Sequence, residues 1–457
     1  MTELEGQLRS YATATLGGVR SVTAEEILRG QPRVRTGRRR AAAVVVLVGV
    51  LAASVTVWIA TRPTGPTPGV TTGTSPASPP PTSWTRLSAL QDANTIQAGA
   101  SSGHRVVLAG SGIWFSSDAH TWSTALGSAA VGSLNPTTQA GGITAVISNG
   151  SGFVAAGQGV DPASGQAVAA IWTSPDGRHW NRVLDRALQP ATPPIPAGDS
   201  TPTRGSIQAI SRGGPGFVAV GGVFAGTFAG RTLVTPPDAP AVWVSRDATH
   251  WTRVDTGTAF GLPNGASPLT LTNVVADGRS LVLTAEEGAS TYVFESRDAV
   301  HWHRTAIVSG TVAKLITYHR LLVAVGSQGG DFGVPQRAAI WTSPDAVHWQ
   351  RVLTTAPTVL TTFDGVATTG HSLVAVGYRG TGEPVVDAIM ATSPDAKTWR
   401  AVPGGGQPFA SHVGLSGATA VGAQYLVFGT EITGGTGSGT SPFTQDTAVF
   451  ESSSPGR

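Results

Sequence analysis

The stretch AAIWTSPDAVHWQRVL, residues 338–353, places Asp345, His348 and two tryptophans, Trp341 and Trp349, within ten residues. A carboxylate and an imidazole three positions apart can pass a proton, and together they can offer two metal ligands. The phrase is not alone. It recurs as GIWFSSDAHTWSTA (112–125), AIWTSPDGRHWNRV (170–183), AVWVSRDATHWTRV (241–254), YVFESRDAVHWHRT (292–305) and IMATSPDAKTWRAV (389–402), and it breaks off as AVFESSSPGR (448–457). Catalysis needs a residue once, whereas a turn needs its staple in every copy. His179, His250, His301 and His348 each precede the repeat tryptophan, and His120 lies one place earlier. Bonds near ~2 Å to one ion cannot be shared among separate repeats, so no metal is expected, and no cofactor.

A carboxylate in a hairpin turn accepts hydrogen bonds from the turn's own amides, a serine hydroxyl can do the same, and tryptophan packs beneath. A structural role is therefore expected for Ser116, Asp118 and Trp122; Ser174, Asp176 and Trp180; Ser245, Asp247 and Trp251; Ser296, Asp298 and Trp302; Ser343, Asp345 and Trp349; and Ser393, Asp395 and Trp399. The six Ser-x-Asp-x-x-x-Trp copies make residues 83–457 resemble the Asp-box, or bacterial neuraminidase repeat, of sialidase-like β-propellers. The usual box puts Gly two after Asp and the aromatic residue five after. Here the aromatic comes four after, and Gly appears only as Gly177. The resemblance implies that the box is a staple on the face opposite the binding site.

The elements that must carry these turns are short strands. The period is about 50 residues, in the range of propellers and solenoids. Between phrases lie paired alternating segments, such as SIQAISRG and GFVAVGG (206–222), giving four antiparallel strands per unit. The seventh unit lacks its last strand, and SWTRLSAL (83–90) matches it. Pairing Trp84–Leu87 beside Ala448–Ser452 would close the ring without an open edge. Trp84, Trp122, Trp180, Trp251, Trp302, Trp349 and Trp399 give one tryptophan per blade. The expected fold class is all-β: a seven-bladed propeller, with its N-terminal strand closing the last blade, preceded by one transmembrane helix.

That helix is AAAVVVLVGVLAASVTVWIA (41–60), twenty uncharged residues following Arg38, Arg39 and Arg40. Twenty helical residues span a ~30 Å hydrocarbon core, and flanking arginines favour the cytoplasmic side. The sequence thus divides into a cytoplasmic segment (1–40), a membrane helix (41–60), a Pro/Thr/Ser-rich stalk (61–82) and an extracytoplasmic propeller (83–457). A cleaved signal peptide is the competing reading of the apolar segment. With no cysteine, disulfides and thiolate sites are excluded. The net charge is +3, and outside the N-terminal arginine cluster little basicity remains, so nucleic acid is not an expected partner. Lysine is confined to Lys314 and Lys397, which suggests a GC-rich coding sequence, as in actinobacteria.

The sialidase likeness implies an arginine triad, a Tyr nucleophile with a supporting Glu, and an acidic proton donor. The Phe/Tyr-Arg-Ile-Pro signature is absent, and Tyr292, Tyr318, Tyr378 and Tyr425 show no obvious glutamate partner in sequence. The best carboxylate pair is Glu286 and Glu287, where neighbouring blades have Gly; as adjacent like charges, one could be raised toward general-acid duty, or both could be solvated. Long, individual loops at 157–169, 185–205, 221–240, 255–270, 327–337 and 430–446 mark the face opposite the box turns as the recognition face. Phe224, Phe228, Phe260, Asp331, Phe332 and Phe443 are its candidates for gripping a protein, peptide or glycan, or for packing the loops down. A non-catalytic binding or scaffolding module is the first expectation. The alternatives are an exo-acting, sialidase-like glycoside hydrolase and a protein that signals to its short cytoplasmic segment.

Overall fold

The computed structural model describes residues 83–453, apart from loop segments of which the longest are 133–141, 190–202, 261–268 and 434–443. The segments expected at 1–40, 41–60 and 61–82 lie outside the described residues. Among the described residues no helix is long and apolar enough to cross a membrane.

Seven four-stranded antiparallel sheets make up residues 83–453, and a two-stranded hairpin (Thr227–Ala229, Thr232–Val234) projects from the third. Blade four shows the plan: Thr270–Ala276 lines the axis, followed outward by Leu281–Glu287, Ser290–Ser296 and His303–Ser309. Second strands are continuous apolar runs, such as FVAVG at 217–221, because both of their faces are covered by neighbouring blades. Val218, Val220, Val323 and Val325 are wholly buried. Outer strands are mostly exposed and polar.

The seventh blade is closed by the strand that precedes the first blade in sequence. Trp84–Arg86 pairs antiparallel with Thr444–Ser452, in the register Trp84 to Ser452 and Arg86 to Phe450. Two further bonds extend the seam: Leu87 N–H donates to Val449 O (2.9 Å) and Ser453 N–H to Ser83 O (2.8 Å). An edge strand from the far end of the sequence thus satisfies the ladder that the last strand would otherwise leave open.

A third-strand aromatic anchors almost every blade: Trp114, Trp172, Trp243, Phe294, Trp341 and Phe450 are buried, and blade six has Ala391 instead. The chain entering a blade lays an apolar residue into the same cluster. Leu90 joins Trp114, Val131 joins Trp172, Leu188 joins Trp243, and Phe409 packs on Phe450 with ring centroids 4.7 Å apart. The short helical turns Ser128–Val131 and Arg186–Leu188 exist to deliver two of these residues.

Candidate functional site

The Ser-x-Asp turns spend their polar groups on themselves. Asp345 accepts from the N–H groups of Val347 (3.0 Å) and His348 (2.8 Å) through one oxygen, and the His348 imidazole lies 2.7 Å from the other. Ser343 Oγ donates to the same carboxylate (3.2 Å) and accepts from Asp345 N–H (3.3 Å). Trp349 Nε1 donates to Ala346 O (3.1 Å). Equivalent bonds hold Asp118, Asp176, Asp247, Asp298 and Asp395. Backbone N–H donors lead in pulling Asp118, Asp176 and Asp345 well below the usual carboxylate range, while the imidazoles of His250 and His301 lead for Asp247 and Asp298. For Asp395, burial opposes the shift, but the amides of Thr398 and Lys397 outweigh it. Each histidine serves its own turn, and among the described residues no three potential ligands converge on a metal site.

One feature of these turns has no sequence signal. The residue after each Asp is left-handed: Ala119, Ala248, Ala299, Ala346 and Ala396 have φ between 60° and 66°, and Gly177 has 86°. The alanine methyls are buried, which offsets the backbone cost of that conformation. Glycine stands at 177 because a Cβ there would lie 2.8 Å from the Phe115 ring of the neighbouring blade. His120 also departs from the pattern for a reason. One ring nitrogen meets Asp118 O (2.6 Å), and the other reaches Glu451 of blade seven (3.1 Å), tying the ring seam.

Three of the arginines two residues after the repeat tryptophan lie across aromatic faces. Arg182 sits 5.9 Å from the Trp172 ring centroid, Arg304 5.6 Å from Tyr292 and Arg86 6.0 Å from Phe450. Burial lowers the pKa of Arg182 and of Arg253.

Glu286 and Glu287 end a strand rather than forming a loop, and they face opposite ways. The glycine position of the other blades is taken by Ala285, which pairs with Leu271, so the sequence alignment of Glu286 with that glycine is off by one residue. In blade six a Cβ at that position, on Gly377, would lie 2.0 Å from Thr362 O, whereas blade four accommodates the Ala285 methyl. Glu287 accepts from Tyr292 Oη (2.8 Å), a Tyr–Glu pair that sequence spacing did not reveal. That bond raises the tyrosine pKa, the wrong direction for a nucleophile, and neither residue lines the cavity. Glu286 does line it, and burial, not its neighbouring charge, raises its pKa.

The cavity is the central channel, about 1130 Å³, walled by the first strands of all seven blades. Each of these strands carries a one-residue bulge at the same level, at Gln97, Thr144, Gln208, Thr272, Ala313, Asp364 and Ser416. A bulge inserts a residue that its partner strand does not match, so the side-chain alternation shifts there. Several residues at this level bond the next blade: Thr144 Oγ1 to Ile207 O (2.5 Å), Asn273 Nδ2 to Val312 O (3.1 Å) and Ser416 Oγ to Ile96 O (2.8 Å). Blades five and six interrupt this belt with Ala313 and Asp364. Asp364 is held by Thr362 Oγ1 (3.0 Å), and burial pushes its carboxyl up to about 6. Lys314 and Tyr378 complete a wall of ionisable groups on blades four to six; burial lowers the Lys314 pKa and raises that of Tyr378.

The loop residues expected to grip a ligand fare differently. Phe260 is not available for binding. It is buried, with its ring centroid 5.1 Å from Phe294 in an edge-on contact and 6.3 Å from Trp302, so it is the packing residue of blade four. Phe224 pairs with Arg204, and Phe228 with Leu233, at the backbone level. Asp331, Phe332 and Phe443 lie outside the described residues.

No protein-family model matches the sequence, and no curated protein matches it. Among solved structures, the phage phi92 endosialidase is 10% identical with a TM-score of 0.40, over 81% of this chain and 68% of that one. A putative 6-phosphogluconolactonase from Bacteroides uniformis is 14% identical with a TM-score of 0.39, over 67% and 83%. For an exo-β-1,3-galactanase from Clostridium thermocellum the values are 15% and 0.34, over 56% of this chain and 60% of that one. Likeness at this level says nothing about activity. The class, a seven-bladed β-propeller, rests on the sheet topology itself.

Proposed function

We propose that this propeller is a binding module, displayed outside the cell on a membrane anchor at 41–60, that takes a small polar ligand into its channel from the long-loop face. One observation carries the reading: the acids and histidines of the rim turns are consumed by the turns, whereas the channel wall of blades five and six holds two donors, Lys314 and Tyr378, with no hydrogen-bond partner among the described residues. Concave, mostly pre-formed cavities with a few polar groups are where small ligands bind. The Asp-box likeness fits this arrangement, since it puts the staples on the opposite face.

The test uses the full chain in detergent on an array of glycans and small polar metabolites. Ala313→Trp would fill the channel from a bulge position without disturbing a blade interior, and binding is expected to be lost. Binding that survives this substitution places the ligand elsewhere and ends the channel reading. A second reading, glycoside hydrolysis, is favoured by Glu286 and Asp364, two carboxyl groups of raised pKa on one cavity. Turnover of fluorogenic glycosides that disappears in both Glu286→Gln and Asp364→Asn would establish it in place of the first.

A further inference from the structure

The channel is lined by the charged residues Arg212, Glu286, Lys314 and Asp364, together with Tyr378. Three of them are answered by protein. The Arg212 guanidinium donates to Asn149 O (2.6 Å), Thr362 Oγ1 donates to Asp364, and the Val312 N–H meets Glu286. The other two, Lys314 and Tyr378, have no hydrogen-bond or ion-pair partner among the described residues. Both are donors, and they come from adjacent blades. Lys314 directly follows the bulge of blade five, opposite Val325, and Tyr378 lies within the second strand of blade six, opposite Thr362. The chain has only two lysines, the other being the exposed Lys397 on a rim turn, so a compact ammonium here stands out against otherwise uniform arginine. Both side chains are half-buried at the channel wall, so the acceptor that the protein does not supply is left to water or a ligand in the channel.

We propose that Lys314 and Tyr378 are the anion contact of the channel. The ligand is a compact oxyanion, a carboxylate or a phosphate monoester, on a small hydroxylated body whose hydroxyls meet Glu286 and Asp364. This deepens the binding reading given above and rests on it. The oxyanion answers both donors at once, and carboxyl oxygens at Glu286 and Asp364 suit the hydroxyls, as acceptors when ionised and as donors when protonated. Burial lowers the Lys314 pKa, and an anion beside it would restore its charge.

Two measurements on the full chain test this. Titration calorimetry compares gluconate and glycerol 3-phosphate with neutral glucitol. In parallel, labelling by trinitrobenzenesulfonate is followed at Lys314 and Lys397 by mass spectrometry. At least one anion is expected to bind and to slow labelling at Lys314 while Lys397 reacts unchanged; which one does so identifies the source of the oxyanion. Lys314→Met and Tyr378→Phe, each checked for native circular dichroism and Tm, are expected to weaken that anion by about tenfold or more, roughly one decade per 1.4 kcal/mol. Protection by glucitol equal to that by the anions overturns the proposal, as does absence of protection by either anion at millimolar concentration. A ligand whose binding is lost in Ala313→Trp but indifferent to Lys314→Met also overturns it, while leaving the channel reading intact.

Discussion

At the scale of single residues, the turns show how one side chain constrains another across a blade boundary. Gly177 is the one glycine among six left-handed positions, and Phe115 is what excludes a methyl there. Gly177→Ala is expected to destabilise by about 1–3 kcal/mol, the range for overpacking a filled site. Phe115→Val should recover most of that loss in the double variant, as a thermodynamic cycle by denaturant titration would show; additive losses would mean that the backbone, not the ring, is the obstacle. A second prediction concerns the seam. Trp302 Nε1 donates to Ala299 O (3.0 Å), but Trp84 Nε1 is buried without a partner among the described residues. Trp302→Phe therefore forfeits a hydrogen bond that Trp84→Phe does not. The first substitution should cost about 1 kcal/mol more than the second. The Ser, Asp and Trp positions were legible because the phrase repeats. The left-handed alanines were not, since alanine carries no conformational signature.

At the scale of strands and blades, the ring closure was read from a missing strand and a surplus one, and the register confirms the pairing. What the sequence concealed was the direction of the inner side chains. Simple alternation through TTFDGVATT (361–369) cannot place Asp364, because the bulge between Phe363 and Gly365 breaks the two-residue period within the channel wall. The two roles left open for Phe260, gripping a ligand or packing its loop, could not be separated for a related reason: a loop of irregular length gives no spacing from which to infer that its aromatic folds back on Phe294. Closure by a three-residue strand also predicts where the molecule yields first. Trp84→Ala removes a ring packed against Phe409 at 6.0 Å, and large-to-small changes of this kind typically cost ~3–5 kcal/mol. Hydrogen exchange should then accelerate in 84–87 and 444–452 before any other blade. Uniform acceleration around the ring would show that the seam has no separate stability.

For the molecule as a whole, two sets of acids set opposite pH responses in separate windows. The turn aspartates, held well below the usual range, contribute stability that is complete above about pH 4 and lost only as pH falls further. Asp364 works the other way. Its folded pKa, raised to about 6, means its stabilising protonated form is fully present below about pH 4, and that contribution is lost as pH rises through 6. His120, raised chiefly by the Asp118 carbonyl and then by Glu451, and His250, raised chiefly by its bond with Asp247, also lose their contributions as pH rises, so both must be controlled for. Thermal unfolding of the full chain should therefore show Tm falling between pH 5 and pH 7. Asp364→Asn should flatten part of that fall and raise Tm at pH 7.5 by roughly a few degrees, and Glu286→Gln should flatten a further part, since burial raises its pKa as well. His120→Gln should leave the lower part of the window unchanged. A wild-type profile that is flat from pH 5 to 7, or one that Asp364→Asn does not alter, would show that Asp364 is solvated at the channel wall. The carboxyl would then meet a ligand already ionised at neutral pH, as an acceptor only. The turn carboxylates are tied down by their own backbone amides, whereas Asp364 on the channel wall is met by the Thr362 hydroxyl.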